Sequence, residues 1–210
     1  MNSIQKRIIA RIRKLGEGKI HVSKDFLGLG SRAAVDQTLS RLAARKSVKR
    51  LARGLYYIPR INPALGIELA PDMDAIARAV ARKTGSRVVP SGAVAANRLG
   101  LSTQVPAKPV YLTDGKSRDI RVGGATFTIK HVSPRDLPFG SPASAMVFQA
   151  LRHIGKDSVT AGTIAHLRKI IPAKDRRKLL KDLWYATGWI AEAARKVCRA
   201  AGISGKAQNG

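Results

Sequence analysis

The sequence predicts an α+β fold in two parts, and three observations carry that prediction. Helical periodicity near the N-terminus gives way to a basic hairpin, short β-rich runs occupy the middle of the chain, and helical periodicity returns from about residue 144. At 210 residues the chain is long enough for two small domains, each with its own core.

Ile4, Ile8, Ile9, Ile12 and Leu15 recur at steps of three and four, with Lys6, Arg7, Arg11, Arg13 and Lys14 between them. That spacing predicts an amphipathic helix over 3–15 with a basic outer face. Gly16 and Gly18 stop it, and Ile20, His21 and Val22 form a short apolar run that suits a strand. Ser23 has the character of an N-cap for a helical turn through Leu27, and Gly28-Leu29-Gly30 breaks that turn. Ser31 caps a longer helix, Arg32 to Arg45, which has no Gly or Pro and sets Val35, Leu39 and Leu42 on one stripe. The period then changes: Ser47 to Ala52 and Leu55 to Pro59 read as two strands joined at Arg53-Gly54, where glycine supplies the positive φ of a hairpin turn. Helix, short strand, short helix, glycine turn, long helix and hairpin in this order predict a winged helix-turn-helix over residues 1–61.

Asn62, Pro63, Gly66 and Pro71 mark residues 60–71 as a linker or a partly packed connection. A mixed α/β second domain is expected over 72–202. It opens with a helix at Asp72 to Lys83, a strand at Arg87 to Val89 and a helix from about Ser91 to Leu99. A small antiparallel meander follows at Val110–Leu112, Ile120–Val122 and Thr126–Lys130, then a helical C-terminal part. The polar, glycine-rich tail 203–210 reads as disordered.

A formal net charge of +26 and a pI near 11.3 call for a polyanionic partner. Residues 1–61 hold 15 Lys and Arg against 3 acids, and residues 62–210 hold 24 against 10, so charge density is about twice as high at the N-terminus. Aromatic residues are only 5%, which favours duplex recognition over base stacking on a sheet. The single cysteine, Cys198, excludes an intramolecular disulfide and a thiolate zinc site and suits a reducing compartment, with the cytoplasm expected. No secretory signal is legible, and no apolar run approaches the roughly 18 residues a bilayer requires. No membrane contact is expected.

With Val35, Leu39 and Leu42 turned inward, Ala33, Gln37, Ser40 and Ala44 fall nearly opposite, with Arg41 beside them. These are the base-facing candidates. Gln37 can pair bidentately with adenine, Arg41 can reach guanine or phosphate, and Ala33 can meet a thymine methyl. Arg32 adds charge at the helix start, and Lys49, Arg50 and Arg53 of the hairpin would follow the backbone or enter the minor groove. Tyr56 and Tyr57 read as packing residues.

No enzyme and no cofactor are expected. Asp72-Met73-Asp74 has the form of a two-carboxylate metal site, but the Gly-Ser pair at 85–86 lies downstream rather than upstream of it, so helix N-terminal charge is the better reading. His153, Asp157 and His166 complete no metal motif, and no phosphate-binding loop or nucleophile elbow appears.

Two N-terminal stretches, Ser31–Leu42 (SRAAVDQTLSRL) and Arg50–Pro59 (RLARGLYYIP), resemble the AbiEi-type antitoxin and transcriptional-regulator family of type IV toxin-antitoxin systems. In the second domain Pro90–Gln104 (PSGAVAANRLGLSTQ) and Tyr111–Gly115 (YLTDG) resemble it too. The resemblance spans about 30–140 and implies a bipartite protein. Its winged domain would repress its own operon at promoter inverted repeats, as a monomer or weak dimer that binds cooperatively on DNA. Its C-terminal domain would counter a nucleotidyl-transferase toxin. The family's DNA-contacting positions fall here on Arg32, Gln37, Arg41, Lys49, Arg50 and Arg53. Two other readings stay open on residues alone: a non-specific architectural DNA-binding protein and an RNA-binding basic protein. Both share the charge and differ from a repressor in specificity.

Overall fold

Residues 3–122 and 124–199 are described by a computed structural model, and the fold is α+β. Contacts divide the chain into two units, 1–88 with 108–134, and 89–107 with 135–210. The expected tail at 203–210 lies outside the described residues.

In the first unit, α1 (Ser3–Leu15) turns Ile8 and Ile12 inward and α2 (Arg32–Ala44) turns Val35, Leu39 and Leu42 inward, all fully buried. Between them, β1 (His21–Val22) leads into a 3-10 helix at Ser23–Leu29 that drives Phe26 into the same core. Ser23 is buried inside this helix rather than capping it, and Asp25 instead accepts the Val22 N–H at 2.9 Å. Ser31 does cap α2, its hydroxyl accepting the Ala34 N–H at 3.3 Å.

The hairpin forms as β2 (Lys49–Ala52) and β3 (Leu55–Tyr57), turning at Gly54 with φ +73°. β1 takes the other edge of β3, with His21 opposite Tyr56 and Val22 opposite Leu55, so β3 is central and Leu55, Tyr56 and Tyr57 are all buried. A bulge between Arg50 and Ala52 shifts the β2 register.

Residues 60–71 are not a bare linker. β4 (Arg60–Ile61) pairs with β5 (Glu68–Leu69), closed by Asn62, whose side-chain oxygen accepts the Ala64 and Leu65 N–H groups. The compact units also do not divide at this segment. α3 (Met73–Thr84) packs on the first unit: Arg82 donates to the Ile20 carbonyl at 2.8 Å and lies 3.4 Å from Asp25. β6 (Val88–Pro90) and the seven-residue α4 (Gly92–Arg98) follow.

The chain then returns to the first unit as β7 (Val110–Thr113), β8 (Arg118–Val122) and β9 (Ala125–His131), neighbours in the order β7-β9-β8. The expected antiparallel meander is half right. β8 and β9 are antiparallel, but β9 continues past β8 and pairs with β7 in parallel, Val110 opposite Thr128 through Thr113 opposite His131. A meander would seat β8 in the middle; instead β9 takes the middle, and its alternate residues Phe127 and Ile129 are buried on one face.

Beyond the end of β6, the regular elements of the second unit's described residues are helical, among them α4, α5 (Pro142–Ile154), α6 (Ala161–Ile170), α7 (Ala173–Asp182), a 3-10 turn at Leu183–Tyr185 and α8 (Gly188–Cys198). Ala95, Ala96, Phe148, Leu151, Leu167, Leu179 and Val197 belong to its core. α4 and α5 approach so closely that a Cβ on Gly92 would sit 2.7 Å from the His153 Cβ. At the start of α5, Asp182 accepts the Ser141 N–H and the Ser144 hydroxyl, each at 2.7 Å. Burial works against the charge of Asp182, but these hydrogen bonds outweigh it and hold the carboxyl below the usual carboxylate range. Asp182→Ala is therefore expected to destabilise the fold by about 1–2 kcal/mol, as loss of a helix cap does, measured as a lower urea midpoint. An unchanged midpoint would mean that water replaces the carboxylate at no cost.

His21 supplies a pH dependence. Its imidazole is 3% exposed and is pushed below its ordinary value of 6.5, first by burial, with Asp25 opposing and Arg82, Lys19 and Arg11 adding to the shift. The unfolded chain therefore binds the proton at a pH where the fold still excludes it. Stability from the neutral ring is complete above 6.5 and declines as pH falls through the lowered folded value. Urea midpoints measured between about pH 5 and 7.5 should drop on the acid side, and His21→Phe should flatten that limb. No helix of the described residues is long and apolar enough to cross a membrane.

Candidate nucleic-acid interface

α2 has one buried stripe and one solvent face because apolar residues recur only on the former. Arg32, Ala33, Gln37, Ser40, Arg41 and Ala44 are all exposed, the set that the helical wheel turns outward. The face holds no large apolar side chain. Its helix is fixed by fully buried Val35, Leu39 and Leu42, and this rigidity is what a reading surface requires.

Two of the expected cations have partners that sequence reasoning did not assign. The Arg32 Nε donates to Asp36 Oδ2 at 2.8 Å, one turn along α2. Lys49 forms an ion pair with Glu68 of β5, a contact invisible while 60–71 is read as a linker. Both pairs are about half exposed, so each is easily exchanged for a phosphate. Arg50 and Arg53 are exposed on the hairpin, and Tyr56 and Tyr57 are buried packing residues.

The hairpin turn is anchored. The Lys83 ammonium, in the last turn of α3, donates to the Arg53 carbonyl, and a Cβ on Gly54 would meet the Lys83 Cε at 3.3 Å. Burial lowers the Lys83 pKa first, and the positive charges of Arg118, Arg53, Arg32 and Arg50 lower it further. Cations from α2, the hairpin, α3 and β8 thus converge on one region of the first unit, and such a concentration of like charge is eased by binding an anion. Lys83 and Arg118 are the residues that sequence reasoning missed. Each lies far along the chain from the hairpin, and a basic residue in the last turn of a helix ordinarily reads as dipole compensation.

Charge follows the same division. The first unit holds 24 Lys and Arg against 8 acids and the second 15 against 5, so +16 and +10 make up the total of +26. The other candidates have structural roles. Asp72 caps α3 by accepting the Asp74 and Ala75 N–H groups at 3.2 Å, and Asp74 lies 3.6 Å from Arg78. His166 Nε2 is 2.8 Å from the Leu99 carbonyl. Among the described residues, no three His, Cys, Asp or Glu side chains cluster as a metal site would need.

Compared with known proteins, residues 7–179 match a family described as being of unknown function (DUF6088). No curated protein matches the chain.

Proposed function

The chain belongs to that family, and we propose that it is a sequence-specific duplex-DNA-binding transcriptional repressor whose reading domain is a winged helix-turn-helix over residues 1–61. The observation that carries this reading is the solvent face of α2: Arg32, Gln37, Ser40 and Arg41 stand together on a helix locked by its buried stripe. The basic convergence around Lys83 lies in the same unit. The N-terminal half of α2 enters the major groove, with Gln37 on adenine and Arg41 on guanine, while Ser40 and Ala33 fill the same edge. Arg50 and Arg53 of the hairpin take phosphates, which set register and affinity but not sequence. On contact, Arg32 and Lys49 exchange Asp36 and Glu68 for phosphate oxygens, which adds counterion release to the binding free energy.

In its fuller form the proposal makes the protein an antitoxin that represses its own promoter, with the second unit opposing a nucleotidyl-transferase toxin. The support for that half is the resemblance over about 30–140. Co-expression with a nucleotidyl transferase encoded beside its gene tests it: rescue of growth that persists in Arg41→Ala would assign neutralisation to the second unit, and rescue lost in Arg41→Ala would make it a consequence of promoter binding.

The DNA reading is tested by fluorescence anisotropy at 150 mM salt, comparing the fragment upstream of its own gene with a shuffled duplex. A repressor prefers its operator by about a thousandfold or more. Equal affinity for the two would instead mark an architectural protein, the reading favoured by the positive charge of both units.

A further inference from the structure

The second unit carries an exposed aromatic patch used neither by its core nor by the DNA reading. Trp184 is 88% exposed, Leu180 52%, Tyr185 50% and Phe139 43%. Phe139 and Tyr185 stack with ring centroids 5.7 Å apart and planes 28° from parallel. Leu180 stands one turn before Trp184 along the continuous run of α7 and its 3-10 extension. Isolated exposed apolar residues are ordinary, but three rings and a leucine gathered together mark a surface that is covered in use.

The exposed charge of α7 beside the patch is mainly positive. Lys174, Arg177, Lys178 and Lys181 are exposed on α7. Its two acids are engaged locally, Asp175 with Lys178 at 3.4 Å and Asp182 with Ser141 and Ser144. We infer that this patch docks a partner protein whose surface is acidic around an apolar centre. Trp, Tyr and Arg are the residue types that dominate binding hot spots, and here they come with a basic rim that an acidic rim complements.

The other occupants fit less well. A second copy would set Arg177 and Lys181 against themselves across a two-fold axis, in a chain that already carries +26. A single nucleic-acid strand stacks its bases on a series of open rings, whereas Phe139 and Tyr185 already cover one another and leave Trp184 as the one open platform of the three. The inference does not rest on the DNA reading, and each can fail alone.

The test uses the full chain with Trp189→Phe, which leaves Trp184 as the sole tryptophan, excited at the red edge beyond tyrosine absorption. The probes are an amphipathic helical peptide of Glu and Leu, a scrambled peptide of the same composition, and oligo(dT). The amphipathic peptide should shift Trp184 emission to the blue, saturably and at least about tenfold more tightly than the scrambled one. Leu180→Ser and the pair Arg177→Glu with Lys181→Glu should each weaken that binding about tenfold, and Leu180→Ser should leave operator affinity unchanged. All three positions are exposed, so thermal unfolding should not move. Equal response to the two peptides, tighter binding of oligo(dT), or concentration-dependent self-association abolished by Leu180→Ser would each overturn the inference.

Discussion

On the proposed DNA reading, replacing Gln37 and Arg41 together with alanine is expected to abolish most of the preference for operator over shuffled DNA. A bidentate base contact contributes about 1–3 kcal/mol of discrimination, so losing two should remove at least about thirtyfold of specificity. Affinity for shuffled DNA should fall less, because most non-specific binding comes from phosphate contacts. Both side chains are exposed and neither belongs to the buried stripe of α2, so the thermal midpoint should stay nearly constant. The two single variants differ in kind. Gln37→Ala should relax one base position and leave the salt dependence alone. Arg41→Ala should do the same if it meets guanine, and should lower the slope by about one unit if it meets phosphate. A footprint unchanged in Gln37→Ala would show that this face of α2 does not read bases.

What was legible in the sequence is what local chemistry decides. The stripes Ile8–Ile12 and Val35–Leu39–Leu42 follow from helical periodicity, and the β2–β3 turn follows from Gly54, whose φ of +73° excludes most other residues. The same periodicity turns Arg32, Ala33, Gln37, Ser40, Arg41 and Ala44 of α2 to solvent. Elements that depend on distant partners were not legible. β4 and β5 expose every residue, so no alternation of burial marks them, and an Asn62 turn is all that closes the pair. The direction of β7 against β9 is fixed by a pairing across β8, which no short window contains. α3 joined the first unit through Arg82, whose hydrogen bond to Ile20 spans 62 residues. That displacement of α3 and β8 also hid Lys83 and Arg118 from a search confined to the N-terminal segment.

The convergence of cations gives the second large effect. Arg50→Ala, Arg53→Ala, Lys83→Ala and Arg118→Ala combined should weaken binding to every duplex by about a thousandfold at physiological salt, since each phosphate contact contributes a slope near 0.9 in log K against log salt. The same variant should lower that slope by three to four units while the ratio of operator to shuffled affinity is kept, the inverse of the Gln37 and Arg41 result. Lys83→Ala alone discriminates between two roles. Because its ammonium donates to the Arg53 carbonyl, it anchors the hairpin turn as well as adding charge. If anchoring is its whole contribution, Lys83→Ala lowers stability and leaves the salt slope unchanged. If the ammonium meets phosphate, the slope falls by about one unit even where the urea midpoint is restored by a stabilising osmolyte. The lowered pKa of Lys83 sets a further expectation, because bound phosphate would offset the positive field of Arg118, Arg53, Arg32 and Arg50. Its pKa should therefore rise on DNA, with protons taken up during binding on the alkaline side of neutrality. Titration calorimetry in buffers of different ionisation enthalpy reads that uptake directly, and its absence in wild-type protein would place the DNA backbone away from Lys83.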